Sequence, residues 1–155
     1  MIAVRYCSKS GNTKKVAKLL GEKLGVEALS VEEPLTGQID KLYLGGAVHG
    51  KMYPELKKFA QELDPSQIGE VFMFGTSGGV FSIKKELMSA LKENGVRIGK
   101  DTMFLHGFAP KIKSDLNDNQ LAEVDKFIEA TKYIMCATSA NNSLSPRLLD
   151  GVIFS

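Results

Sequence analysis

Tyr6-Cys7-Ser8-Lys9-Ser10-Gly11-Asn12-Thr13 follows the apolar run Ile2-Ala3-Val4 and precedes an amphipathic stretch carrying Val16, Leu19, Leu20 and Leu24. That pattern is a strand that stops, turns through small hydroxyl residues and opens a helix. Such a turn leaves backbone N–H groups without intrahelical partners at the positive end of the helix dipole. Ser8, Ser10 and Thr13 add hydroxyls and Asn12 an amide, which makes the turn a candidate seat for a phosphate. An ordinary N-capped turn uses the same residue types, and the loop alone does not separate the two.

Outward from this turn, the first helix is expected over residues 12–24, because Val16, Leu20 and Leu24 recur every four residues and Gly25 suits a left-handed stop. Residues 26–31 alternate as a short strand. Glu32-Glu33-Pro34-Leu35-Thr36-Gly37-Gln38 is too short and broken for a full crossover helix, and a loop or single helical turn is expected there. Leu42-Tyr43-Leu44 is a buried strand ending in Gly45-Gly46. Pro54 opens a helix with Leu56, Phe59, Ala60 and Leu63 on one face, closed by Pro65. Val71-Phe72-Met73-Phe74 is the next strand, also ending in glycine, followed by a helix with Ile83, Leu87, Ala90 and Leu91 inward that stops near Asn94-Gly95. Thr102-Met103-Phe104-Leu105 gives a fifth strand, extensible to Phe108. The last helix starts near Asn117 or Asp118, with Gln120 in reach of a capping box from Asn117 and an inner face of Leu121, Val124, Ile128 and Thr131.

Strands that are apolar throughout and alternate with helices imply an α/β fold, a doubly wound five-stranded parallel sheet covered on both faces. Ligands bind such sheets beyond the carboxyl ends of the strands, where the strand order reverses. Three strand ends carry small or glycine-rich loops here, at residues 8–13, 45–51 and 75–79. Their convergence on one crevice is a stronger signal than any one of them.

With 155 residues the chain has room for one domain with a substantial core. No apolar run reaches membrane-spanning length and no signal-like segment opens the chain, so a cytoplasmic protein without membrane contact is expected. A net charge of +2, with lysines spread rather than blocked, gives no reason to expect a nucleic-acid partner. Two cysteines and two histidines make neither a disulfide framework nor a metal-ligand spacing. Cys7 beside an anion pocket is either an activated thiol or, as the more ordinary reading, a small buried residue closing its strand.

The turn lacks Gly-x-x-x-x-Gly-Lys-Ser/Thr and also Gly-x-Gly-x-x-Gly, which removes a P-loop and the dinucleotide fingerprint. No acidic residues end the first strand, as a phosphorylated receiver would need. A hydroxyl-rich loop without a phosphate-binding lysine suits one terminal monophosphate. Ser8-Lys9-Ser10-Gly11-Asn12-Thr13, followed by Val16 and Ala17, resembles the FMN phosphate loop of the flavodoxin family; flavodoxin is itself the standing example of FMN at this switch point. Gly45-Gly46-Ala47-Val48-His49-Gly50-Lys51 and Thr76-Ser77-Gly78-Gly79-Val80-Phe81 fall where that family carries its two flavin-flanking loops. The resemblance spans residues 1–132 without a long insertion in the fifth strand.

The resemblance implies a flavodoxin-like sheet of order 2-1-3-4-5 and FMN as cofactor. By it, Ser8, Lys9 (through its backbone), Ser10, Gly11, Asn12 and Thr13 hold the phosphate. Ala47, Val48, His49 and Gly50 line one face and the N5 edge of the ring, and Thr76, Ser77, Gly78 and Gly79 run along its pyrimidine edge. It implies a carrier shuttling electrons between redox partner proteins, with no catalytic residue and no metal. A NAD(P)H-dependent flavin or quinone reductase on the same fold, and a flavin-free interaction module, are the rival readings. Two departures stand out: the chain has no tryptophan to stack on a flavin, leaving His49, Tyr53 and Phe81, and it is slightly basic rather than acidic. His106 reads as a satisfied histidine of a core strand. Lys51, Lys57, Lys58, Lys84 and Lys85 read either as solvated helix faces or as a positive rim. The domain is expected over residues 1–137. Residues 138–155 form a tail with loop composition and an apolar end, compatible with disorder, with packing on a neighbour, or with sequence foreign to the domain.

Overall fold

The computed structural model describes residues 1–9, 11–49, 51–77, 82–106 and 116–132, with Val48, His49 and Lys51 as backbone alone. The expected tail at 138–155, Cys136, and the continuation of the fifth parallel strand to Phe108 lie outside those residues. Strand β1 (Ile2–Cys7) leads into α1 (Asn12–Leu24), then β2 (Ala28–Ser30), β3 (Ile39–His49) and the two-residue β4 (Lys51–Met52). Helix α2 (Pro54–Glu62), β5 (Ile68–Thr76), α3 (Lys84–Asn94), β6 (Met103–Leu105) and α4 (Asp118–Lys132) follow.

The parallel strands lie in the order β2-β1-β3-β5-β6, which is 2-1-3-4-5 when they alone are numbered, with β4 folded back antiparallel on the end of β3. Period-two alternation sorts the central side chains into two layers. Leu42, Leu44, Val71 and Met73 face Leu56, Ala60, Leu87 and Leu91 of α2 and α3. Tyr43, Phe72 and Phe74 face Val16, Leu20, Val124 and Phe127 of α1 and α4. The core is therefore double, one half on each side of the sheet.

The stretch between β2 and β3 is a turn and loop without a helix, as its composition predicts. Buried Arg5 replaces the missing crossover helix as a clamp, its guanidinium donating to the carbonyls of Glu33 (3.1 Å) and Pro34 (3.0 Å). Gln67 adds a bond from Nε2 to the Gly37 carbonyl at 2.9 Å. Helix α1 ends at Gly25, whose φ of 77° is the left-handed conformation expected of it.

Strand β3 corrects one expectation. It does not end at Gly45-Gly46 but runs through Ala47 and Val48 to His49, so the foreseen loop at 45–51 is mostly strand. The reason is that both its edges remain occupied: Gly45 pairs with Tyr6 and Phe74, and Gly46 with Cys7 and Gly75. The glycines serve packing here rather than a turn. A Cβ on Gly45 would lie 2.4 Å from Cε2 of Phe74. In the same way β5 carries Gly75 and Thr76 inside the strand, not in a loop after it.

Helix α4 has the foreseen capping box: Gln120 N–H donates to Asn117 Oδ1 at 2.8 Å, and Asn117 N–H to Gln120 Oε1 at 2.9 Å. Its inner face is rotated from the expected one, with Gln120, Val124, Phe127 and Thr131 buried and Leu121 exposed. Polar bonds set the rotation. Gln120 Nε2 donates to the His106 carbonyl (3.0 Å), Thr131 Oγ1 meets the Tyr43 hydroxyl (2.6 Å), and Phe127 packs edge-on to Tyr43. Buried Lys41 of β3 then donates Nζ to the last carbonyls of the helix, Thr131 (2.6 Å) and Lys132 (2.8 Å), a cation at the negative end of a dipole.

Glu70, the register neighbour of Lys41 on β5, is buried, and its Oε1 has no hydrogen-bond partner among the described residues. Burial pushes its carboxyl up, opposed by Arg97 and Lys41. A carboxyl raised in the folded state is destabilising once it ionises, so its cost appears as pH rises above the unfolded value and through the folded one. Glu70→Gln is therefore expected to stabilise the protein by about 1 kcal/mol at pH 7. Urea melts across pH should show the gain vanish toward pH 4; an equal gain at both ends would remove ionisation as its cause.

Candidate functional site

The chain leaves β1 outward to β2, then returns over β1 to reach β3, so the strand order reverses between β1 and β3. Helix α1 leaves from one side of that point and α2 from the other, which opens a crevice at the carboxyl ends of the strands. Register brings the expected segments level: Cys7 pairs with Gly46, Ala47 with Thr76, and Thr76 with Leu105. Among the described residues the ends of β1, β3, β5 and β6 thus stand side by side at one edge of the sheet. Ser10, Gly50, Gly78 and Gly79 lie outside them, as does Phe81, and for Val48 and His49 the placement is that of the backbone at the end of β3.

The first turn is built by local bonds. Gly11 N–H donates to Ser8 Oγ at 3.0 Å, and Lys15 N–H to the Gly11 carbonyl at 3.0 Å, the first closed turn of α1. Gly11 has φ 96°, ψ −12°, a conformation an L side chain rarely adopts. A Cβ there would meet nothing within 4 Å, so the requirement is conformational and the space in front of the turn is open. That space is a groove of about 550 Å³ lined by Ser8, Lys9, Gly11 and Asn12, together with Lys14, Lys15 and Lys18 of α1.

Two of the expected phosphate and ring residues are engaged with each other. Thr13 and Thr76 are buried, with their hydroxyls 2.6 Å apart. This bond ties the first turn of α1 to the end of β5. The Thr13 hydroxyl expected at the phosphate is thus engaged with Thr76, and the pair retains one O–H proton for a further acceptor. Ala47 is likewise buried, at the crevice floor. Ser77 donates its N–H to the Leu105 carbonyl (3.0 Å), and its Oγ lies 2.8 Å from His106 Nδ1. His106 is exposed at the end of β6, not in a core strand, and is the neighbour of the second loop that the sequence reading missed. The signal for it was its place one residue past the strand that flanks β5.

Lys9 points its ammonium across the crevice to Glu55 of α2 (2.7 Å), over the ring of Tyr53 at 5.4 Å from its centroid. The hydrogen bond to Glu55 raises the Lys9 pKa, and the same bond lowers that of Glu55. Both groups are solvated, so the pair orders the mouth more than it stabilises the fold. Burial raises the Tyr53 phenol, keeping it neutral. Cys7 is buried and burial raises its thiol, with Glu55 adding in the same direction. It is the strand-closing residue, not an activated thiol. The lysines foreseen as a rim are mixed with acids: Lys57 and Lys58 follow Glu55 on α2, and Lys84 and Lys85 precede Glu86 on α3.

Among the described residues no helix is long and apolar enough to cross a membrane. No family model matches the chain, and no curated protein matches it. Solved structures do. Oxidised flavodoxin 2 from Bacillus cereus superposes with a TM-score of 0.64 at 20% identity over 83% of this chain and 95% of its own. A flavodoxin from the domain Archaea gives 0.60 at 19% identity, covering 87% and 99%. Rubredoxin oxygen:oxidoreductase from Desulfovibrio gigas gives 0.70 at 15% identity over 90% of this chain, which spans 37% of that protein. At these identities the likeness establishes the fold, and the fold is flavodoxin-like.

Proposed function

We propose that the protein binds FMN non-covalently in the crevice between β1 and β3 and carries electrons between partner proteins. The observation that carries this reading is the open groove at the start of α1, where Gly11, Ser8 and Asn12 stand at the switch point of a flavodoxin-like sheet. The groove fits a phosphate: the backbone of a helix N-terminus faces it, and the left-handed Gly11 leaves it unobstructed. Ser8, Lys9 (backbone), Ser10, Gly11, Asn12 and Thr13 would hold that group. Ala47 to Gly50 and Thr76 to Gly79 would flank the ring, with Tyr53 as the described aromatic nearest the mouth. Bound FMN supplies one- and two-electron transfer; the chain's residues orient it, exclude water from one side and expose an edge.

The test compares FMN with riboflavin, which differs by the phosphate. Charge-assisted hydrogen bonds contribute about 1.5–3 kcal/mol each, so two of them predict FMN binding at least about 100-fold tighter. Fluorescence quenching of each flavin on titration reads this directly. Equal affinity for both would place no phosphate in the groove, and binding of neither would remove the flavin. Steady NAD(P)H oxidation by the FMN-loaded protein would replace the carrier with a reductase.

A further inference from the structure

We propose that His106, steadied by Gln120, is a positioning residue for the ring edge of the crevice. It fixes Ser77 where the chain leaves β5, so that Thr76 and Ser77 meet the pyrimidine side of the flavin in one arrangement. The inference deepens the FMN reading and rests on it.

Strand β6 has three residues, and its last register pair with β5 is Leu105 with Thr76. The end of so short a ladder is where a sheet opens most readily. Two further bonds carry the pairing past that point. Ser77 N–H donates to the Leu105 carbonyl at 3.0 Å, and Ser77 Oγ lies 2.8 Å from His106 Nδ1. The second of these rungs is made by side chains. A hydroxyl donates to a bare ring nitrogen and accepts from a protonated one, so the bond holds for either tautomer.

His106 is itself held. Its carbonyl accepts from Gln120 Nε2 at 3.0 Å, while Gln120 Oε1 accepts from Asn117 N–H at 2.9 Å. One buried side-chain amide thus uses both its ends, and the start of α4 fixes the backbone of His106. His106 is exposed, so packing does not set its place. These bonds do, and they run to two buried residues, Ser77 and Gln120.

The position of Ser77 decides what this chain of bonds serves. Thr76, its neighbour, pairs with Ala47 on the crevice floor and meets the Thr13 hydroxyl of α1 at 2.6 Å. The two residues at the end of β5 are therefore strapped to different elements, Thr76 to α1 and Ser77 to β6. Groups set in place beforehand bind a ring at less ordering cost than groups that must be gathered. Thr13 is a core residue of α1, whereas His106 can be changed at the surface.

The experiment uses the full chain, isotopically labelled. Without flavin, hydrogen exchange is read at the Ser77 amide. His106→Ala is expected to speed it about tenfold. His106→Asn should keep it within about threefold, because an asparagine amide can stand where Nδ1 stands. Gln120→Glu should speed it about threefold with exchange at Val124 and Phe127 unchanged, since the carboxylate still caps Asn117 N–H but cannot donate to His106. With flavin, His106→Ala should weaken FMN and riboflavin alike by about fivefold, because both carry the ring. His106→Asn should restore both to within about twofold, and in a Ser77→Ala background His106→Ala should add less than about twofold. The proposal is overturned if His106→Asn is no better than His106→Ala, if FMN alone is weakened, or if Ser77 exchange ignores His106→Ala. The exchange measurement needs no flavin. A wild-type chain that binds neither flavin thus removes the cofactor reading alone, and a flavin-binding chain in which His106→Ala changes neither exchange nor affinity removes the positioning role alone.

Discussion

Gly45→Ala is expected to lower stability by about 2–3 kcal/mol, although it adds one methyl group. The new Cβ would stand 2.4 to 2.5 Å from Cε2, Cδ2 and Cζ of Phe74, its register partner on β5. Real carbon contacts do not approach so closely, so one side must move. Gly45 is held in the ladder between β1 and β5 and cannot withdraw. Phe74 is wholly buried against the α1 and α4 layer and has no empty space to rotate into. Urea denaturation should show the midpoint fall with an unchanged slope. Phe74→Leu combined with Gly45→Ala should cost less than the sum of the two single changes by about 1 kcal/mol or more. Strict additivity would mean that the ring is not what Gly45 accommodates.

The second large effect belongs to the turn proposed to hold the phosphate. Gly11→Val is expected to weaken FMN binding about 100-fold, or about 2.7 kcal/mol, and riboflavin binding by less than about threefold. Valine at φ 96° is strained by about 1–3 kcal/mol. The backbone relieves that strain by turning the N–H groups at the start of α1 away from the groove. Nothing lies within 4 Å of the added Cβ, so a steric clash is not the cause. Gly25→Val is the control, with φ 77° and equally open space at the other end of the same helix. It should lose comparable stability in melts yet keep FMN affinity. Equal loss of FMN affinity in both variants would trace the effect to the stability of α1 and not to the turn.

Several features were legible because their causes are local. The bounds of α1 followed from the hydroxyl turn, the four-residue recurrence of Val16, Leu20 and Leu24, and Gly25. The capping box of α4 was visible as Asn117 with Gln120 three residues on. Apolar strands alternating with amphipathic helices fixed the layer count, since both faces of the sheet had to be covered. The missing crossover helix was equally plain in Glu32-Glu33-Pro34. What misled was glycine. A glycine pair after an apolar run looks like a strand end, and whether Gly45-Gly46 turns or packs depends on Phe74, 29 residues away in sequence from Gly45.

The sequence alone thus determined the α/β class, the parallel sheet, and the strand–turn–helix around Gly11, because periodicity and helix-end chemistry act within a few residues. The tertiary structure alone decided that the Thr13 and Thr76 hydroxyls meet, that His106 stands beside Ser77, and that Leu121 faces outward beside Lys18. Each of these depends on strand register or helix rotation, which are set by contacts between residues far apart in the chain, and no local pattern encodes them.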